Sequence, residues 1–275
     1  MFFAMQKFMD FKDKVVVVTG AASGIGAAVS RSFAAAGARL GLLDLDAAMA
    51  ADLARELETG GAQALAFGCD VADQSQCSKS FESVLEELGG VDVLVNNAGI
   101  TQRSAFAETS ADVFRRVMAV NFFGSLYCTQ SALPSLIERE GHVVVIESVG
   151  GIAPVLGRSG YCASKHALHG LFTTFRAELR PKNVGVTIVC PGFVKTNLQA
   201  RALGGDGRVT EHPQSRVGRQ IPAEAVAHAV IKAVAKRKPL VLLTPVAHLT
   251  YWMTRLVPTL YERLMARQLK AELER

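Results

Sequence analysis

The five cysteines, at positions 69, 77, 128, 162 and 190, are odd in number and form neither a CxxC pair nor a metal-binding Cys/His pattern. That excludes a disulfide framework and a structural zinc site, and leaves buried free thiols in a reducing compartment. No long block of one charge is present either. Lys and Arg (30) exceed Asp and Glu (25) by only +5, and the one short cluster is Lys236-Arg237-Lys238. A nucleic-acid surface is therefore not expected. No apolar run is long enough to span a bilayer. The start, Met1 to Met9, is apolar but short, with no basic region ahead of it and no small-residue cleavage site behind it. Residues 1–11 read as a short apolar leader on a cytoplasmic protein.

What is present is an ordinary globular composition, 49% hydrophobic and 20% charged, enough for a substantial core. Lys14-Val15-Val16-Val17-Val18 is the continuous β-branched run of a strand buried on both faces. It passes into Thr19-Gly20-Ala21-Ala22-Ser23-Gly24-Ile25-Gly26 and an Ala-rich helix over 27–36. Strand, glycine turn and helix together form a dinucleotide-binding context. Glycine lets backbone approach a pyrophosphate, and the helix N-terminus supplies free N–H groups and a favourable dipole. A second strand, 38–43, ends in Asp44, placed to grip ribose hydroxyls or to cap the next helix. A carboxylate there repels the 2′-phosphate of NADP, and the next residue is Leu45 rather than an Arg, so NAD(H) is expected, with NADP(H) not excluded.

The alternation continues. Helices are expected at 47–59, 74–88, 111–137, 159–179 and 223–236, and strands at 63–67, 91–95, 143–146, 183–189 and 240–243. This predicts one α/β domain over 12–244, a doubly wound parallel sheet of about seven strands with helices on both faces. Asn121 is an unfavourable residue in the interior of the 111–137 helix, which points to a structural or catalytic hydrogen bond. Asn96-Asn97-Ala98-Gly99 ends a strand with groups suited to turn chemistry or to a bound ring. Residues 199–219 lack periodicity, and Gly204-Gly205-Asp206-Gly207 marks a mobile segment, a lid candidate.

Tyr161 and Lys165 are four apart, on one helix face, and Ser148 ends the preceding strand. A hydroxyl can hold a substrate oxygen, a phenol can pass a proton, and an ammonium beside it favours the phenolate. The phenol is thus expected to titrate below its free value of about 10. After Pro245, residues 245–275 form a basic amphipathic extension. Leu249, Trp252, Met253 and Leu256 share one face, and Leu260, Tyr261, Leu264, Met265 and Leu269 another. Such helices dock on a partner subunit, roof a pocket or lie on a membrane surface.

On these motifs, from about residue 11 to 243, the chain resembles the short-chain dehydrogenase/reductase family. Thr19-Gly20-(x)3-Gly24-x-Gly26 is similar to its coenzyme turn, Asn96-Asn97-Ala98-Gly99 to its sheet-stabilising motif, and Ser148 with Tyr161-(x)3-Lys165 to its active site. The resemblance implies a Rossmann-like fold and a catalytic set of Asn121, Ser148, Tyr161 and Lys165. In that set Tyr161 is the acid/base, Lys165 lowers its pKa and holds the nicotinamide ribose, Ser148 polarises the carbonyl and Asn121 anchors a water. It further implies cofactor contacts at Gly20, Ser23, Gly24, Ile25, Gly26, Asp44, Asp70, Val71, Asn97, Ala98, Gly99, Tyr161, Lys165, Pro191, Gly192, Val194 and Thr196, and a homodimer or homotetramer built on helices 111–137 and 159–179. Glu147 departs from the small polar residue usual before the serine, and whether it faces the pocket or the sheet end is open. The expected reaction joins NAD(H) to a lipophilic secondary alcohol or ketone, steroid-like or fatty. The alternatives are an NADPH-dependent reductase of 3-oxoacyl thioesters and a catalytically idle nucleotide-sensing scaffold.

Overall fold

The computed structural model describes residues 9–211, 215 and 218–273. Most of the expected leader, residues 1–8, and part of the expected lid, 212–214 and 216–217, lie outside the described residues. Seven strands, β1 (Val15–Thr19), β2 (Arg39–Asp44), β3 (Ala64–Gly68), β4 (Val93–Asn96), β5 (His142–Ile146), β6 (Gly185–Cys190) and β7 (Leu240–Leu242), form one parallel sheet in the order β3-β2-β1-β4-β5-β6-β7. The chain winds outward from β1 to β3 and returns beside β1 as β4. A crevice therefore opens between β1 and β4 at the carboxyl ends of the strands.

Both faces are covered, as a continuous Val run requires. Val16 and Val18 of β1 join Val29, Phe33, Leu40, Leu42, Val226 and Val230 in one apolar layer. Val15 and Val17, one residue out of phase, join Phe81, Leu94, Leu136 and Phe172 in the other. The first layer is capped by helices α1 (Gly24–Ala35), α2 (Ala47–Thr59) and α7 (Ala223–Ala235), which contribute to it directly. The second is capped by α3 (Gln74–Leu88), α5 (Gly124–Glu138) and α6 (Ser159–Leu179). Asp46 caps α2 by accepting from Met49 N, which leaves the capping duty considered for Asp44 to its neighbour.

The continuous helix expected over 111–137 is instead α4 (Ala111–Met118), a π turn (Ala119–Phe123) and then α5. Wider turns of this kind recur at functional sites, and Asn121 lies within this one. The lid candidate is anchored over its first half. Ala202 and Leu203 are buried, Leu203 N donates to Thr101 O (2.9 Å), and Arg103 N donates to Leu203 O (2.8 Å). Two helices follow β7, α8 (Pro245–Leu256) and α9 (Pro258–Gln268). They dock on the loop after β5, where Thr254 Oγ1 donates to Ile152 O (3.2 Å) and the Tyr261 hydroxyl to Pro154 O (3.1 Å). Leu249, Trp252, Leu256, Leu260 and Leu264 remain exposed. Among the described residues, no helix is long and apolar enough to cross a membrane.

Candidate active site

The glycine turn is dictated by space. Gly20 and Gly24 take φ of +61° and +54°, a region that strains side-chain-bearing residues. A Cβ on Gly20 would meet Ala98 Cα at 2.9 Å, and one on Gly26 would meet Gly20 O at 2.0 Å. Thr19 is the hub beneath. Its Oγ1 accepts from Asn97 N and Ala98 N, both at 3.0 Å, while Asn97 Nδ2 donates to Thr19 O and Gly20 O at 2.9 Å. Asn97 and Ala98 thus brace the turn. Thr19 opens the motif of the coenzyme turn, and its role as the brace beneath it is visible only in the fold.

Ser23 caps α1 without spending its side chain on the helix, so its hydroxyl and the first N–H groups of α1 suit a phosphate, with Ile25 half-buried behind them. Asp44 Oδ2 accepts from Ala22 N (2.8 Å) and Oδ1 from Asp46 N (3.1 Å), which places the carboxylate at the rim of this turn. Leu45 beside it is 75% exposed. Asp70 Oδ1 accepts from Ala72 N (2.9 Å), and Val71 is buried against Gly124. Across the crevice, a Cβ at Gly24 would meet Thr196 Cγ2 at 3.1 Å, so the segment Pro191, Gly192, Val194, Thr196 overhangs the turn. Val194 bridges to Ile221 and Gly192 packs on Thr244. A cradle of glycines, N–H groups and a half-buried carboxylate fits a dinucleotide.

At the head of the crevice the four catalytic candidates converge. Lys165 is buried, and its Nζ donates to Ile146 O (2.9 Å) and lies 5.8 Å from the Tyr161 ring centroid. A Cβ on Gly99 would stand 3.1 Å from Asn121 Oδ1 and 3.7 Å from Lys165 Nζ, so this glycine leaves both groups room. Asn121 is fully buried. It accepts from Ile100 N (2.8 Å) and donates to Ile100 O (3.0 Å) and Ser164 Oγ (2.9 Å). The π turn therefore offers this amide to the Ile100 backbone and to Ser164 of α6 rather than to its own helix. Ser148 accepts from Gly150 N (3.0 Å), turning the chain at the end of β5.

The electrostatics differ from the expected balance. Burial pushes the Tyr161 phenol up to about 12, against the pull of a side-chain hydrogen bond with Ser148 and the charge of Arg158. Burial likewise lowers Lys165 to about 8, opposed by the charge of Glu147. The phenol therefore stands above its free value rather than below it, because burial outweighs the groups that favour the phenolate. Glu147 does not face the crevice. Its carboxylate is buried, with Oε1 2.8 Å from His169 Nδ1 and Oε2 accepting from the Cys190 thiol at 2.8 Å. All five cysteines are buried and unbridged, and among the described residues no three His, Cys, Asp or Glu side chains gather to hold a metal.

A parallel sheet with a glycine cradle at its switch point and a Ser-Tyr-Lys-Asn set beside it defines a dinucleotide-dependent oxidoreductase. The pattern of short chain dehydrogenases matches residues 14–204, and this chain belongs to that family. It is 38% identical over 267 residues to Dehydrogenase/reductase SDR family member 7B of Mus musculus, covering 95% of this chain and 83% of that one. It is 32% identical over 280 residues to Dehydrogenase/reductase SDR family protein 7-like of Drosophila melanogaster, covering 97% and 84%. A short chain dehydrogenase/reductase from Burkholderia phymatum, solved in complex with NAD, superposes with a TM-score of 0.82 at 28% identity, over 92% of this chain and 96% of that one. The protein is an NAD(P)-dependent dehydrogenase/reductase.

Proposed function

We propose that this enzyme interconverts a lipophilic secondary alcohol and its ketone, with NAD(H) as its preferred coenzyme and Tyr161 as the acid/base. The observation that carries the coenzyme choice is Asp44. Its carboxylate stands at the rim of the glycine turn, bonded to Ala22 N, with Leu45 and no arginine following. A 2′-phosphate there would meet like charge, whereas ribose hydroxyls would donate to it. The Burkholderia phymatum protein's complex with NAD is consistent with this reading.

When bound, the nicotinamide supplies or accepts the hydride. The chain's own groups handle the oxygen. Ser148 donates to the carbonyl as charge develops on it, and Tyr161, a phenol at neutral pH, gives its proton to that oxygen or takes it back. Lys165, fixed by Ile146 O, holds positive charge beside the phenol, and Asn121 holds the Ile100 turn next to it. The half-buried Phe193 and Leu198 and the docked α8 and α9 favour a lipophilic substrate. A groove between α5 and α6 lined by Leu126, Leu133, Leu171 and Phe175 supports a homodimer or homotetramer on those helices.

Calorimetric titration with NADH and NADPH tests the coenzyme reading. NADH is expected to bind more tightly, and Asp44→Ala to narrow the gap; tighter NADPH binding to the native protein overturns it. Tyr161→Phe is expected to lower turnover of a lipophilic alcohol by roughly 10²–10⁴-fold with coenzyme binding retained. Full turnover in that variant sinks the catalytic assignment.

A further inference from the structure

Glu147 is a buried carboxylate for which the hydride-transfer scheme has no use, and its surroundings are specific. It stands between Ile146, whose carbonyl receives the Lys165 ammonium, and Ser148. One oxygen is bound by His169 Nδ1, from the residue one helical turn beyond Lys165 on α6, and the other by the Cys190 thiol at the end of β6. Gly151 is small because of it, since a Cβ there would meet the Glu147 carboxyl carbon at 2.5 Å. Three elements thus converge to hold one carboxylate next to the strand end that fixes Lys165.

We propose that Glu147 is a positioning residue for Lys165. It acts as the buried counter-anion that keeps this side chain an ammonium, with His169 and Cys190 holding the carboxylate in place. The proposal deepens the hydride-transfer reading and shares its active site. Cys190 stays a protonated donor, because burial and the carboxylate both push its thiol upward. Lys165, drawn down to about 8 by burial, is supported from below by the same carboxylate. Without that support a larger fraction of the side chain would be neutral amine beside Tyr161, with less charge to offer a phenolate. His169 forms part of the wall of an open groove of about 540 Å³ between α6 and the C-terminal helices. The titratable groups facing that groove are His166 on α6, Arg255 on α8, and Tyr261 and Glu262 on α9, while Lys165 and Cys190 lie on the inner side of the carboxylate. The imidazole therefore separates the buried anion from groove water.

The test reads Lys165 itself, in the full-length protein and without substrate. Trace acetic anhydride labels each amine in proportion to its unprotonated fraction, and peptide mass spectrometry across pH gives the midpoint for Lys165. In Glu147→Gln, which keeps polar atoms and removes charge, the midpoint is expected to fall by roughly half a pH unit or more, and Glu147→Asp to recover part of that fall. His169→Gln, which opens the carboxylate to water screening, is expected to lower it by less. An unchanged midpoint in folded Glu147→Gln overturns the proposal; if that variant does not fold, an unchanged midpoint in His169→Gln does so. Because no coenzyme or alcohol enters the measurement, a failed substrate assignment leaves its outcome intact.

Discussion

The turn after β1 is fixed by tight space and by side chains of the sheet's own strand ends, Thr19, Asp44 and Asn97, whereas the loop after Ser148 is tied by side chains that arrive from the C-terminal helices. The glycine turn is in contact with Asn97, Ala98 and Thr196, and at Gly20 and Gly26 an added carbon would meet backbone atoms. The loop after Ser148 is tied by Thr254 to Ile152 O and by Tyr261 to Pro154 O, and Gly157 lies against Glu272. The first arrangement binds what every member of such a fold must bind. The second permits variation, because a hydroxyl on a surface helix can be exchanged without disturbing the sheet.

The largest effect is expected from Gly26→Ala, whose Cβ would sit 2.0 Å from a backbone oxygen that cannot give way. We expect a loss of about 3 kcal/mol of stability and of measurable NADH binding, read by urea unfolding and calorimetry. Near-native NADH affinity in this variant would break the contrast. A second effect should come from acid. His142, at the start of β5, is buried against Thr187 Oγ1 (2.8 Å), and burial lowers it to about 3. The unfolded chain protonates this ring near 6.5 and the folded one does not, so stability falls as pH drops from 6.5 towards 3. Lowering pH from 7 to 5 should cost about 2 kcal/mol from this group. A flatter pH dependence of unfolding in His142→Gln would verify it; equal slopes would refute it.

The smallest effect is expected at the loop. Thr254→Val and Tyr261→Phe each remove one hydrogen bond to a loop carbonyl, worth about 1 kcal/mol or less. They should raise KM for the alcohol while leaving NADH affinity unchanged. Weakened NADH binding in either would show that the two regions are not independent.

The same division explains what was legible in the sequence. The Val run, Gly20, Gly24 and Gly26, Asp44, and the spacing of Tyr161 and Lys165 are local patterns with local causes, and each stands where the pattern placed it. The doubly wound parallel sheet and the single domain followed from alternation of elements, whereas the strand order did not. The π turn was not legible, because a widened turn has the same composition as a regular one, and Asn121 was its sole trace. Nor was the balance at Tyr161, since burial comes from distant chain packing around it, while a nearby lysine is visible in the sequence. The partners of Glu147 come from β6 and from one turn along α6, a tertiary fact carried by no spacing except the four residues from Lys165 to His169.

The π turn at Ala119–Phe123 has a mechanical consequence. An added residue in a helix advances everything after it by about 100° around the axis. Upstream, Val113 and Val117 face Leu203, the anchor of the segment after Gln199; downstream, Cys128, Ala132 and Leu136 face the sheet. The slip lets one rod present two differently aimed stripes. Deleting a single residue between 119 and 123 would restore a regular helix and turn the upstream stripe away from Leu203, loosening that segment without altering any residue that touches it.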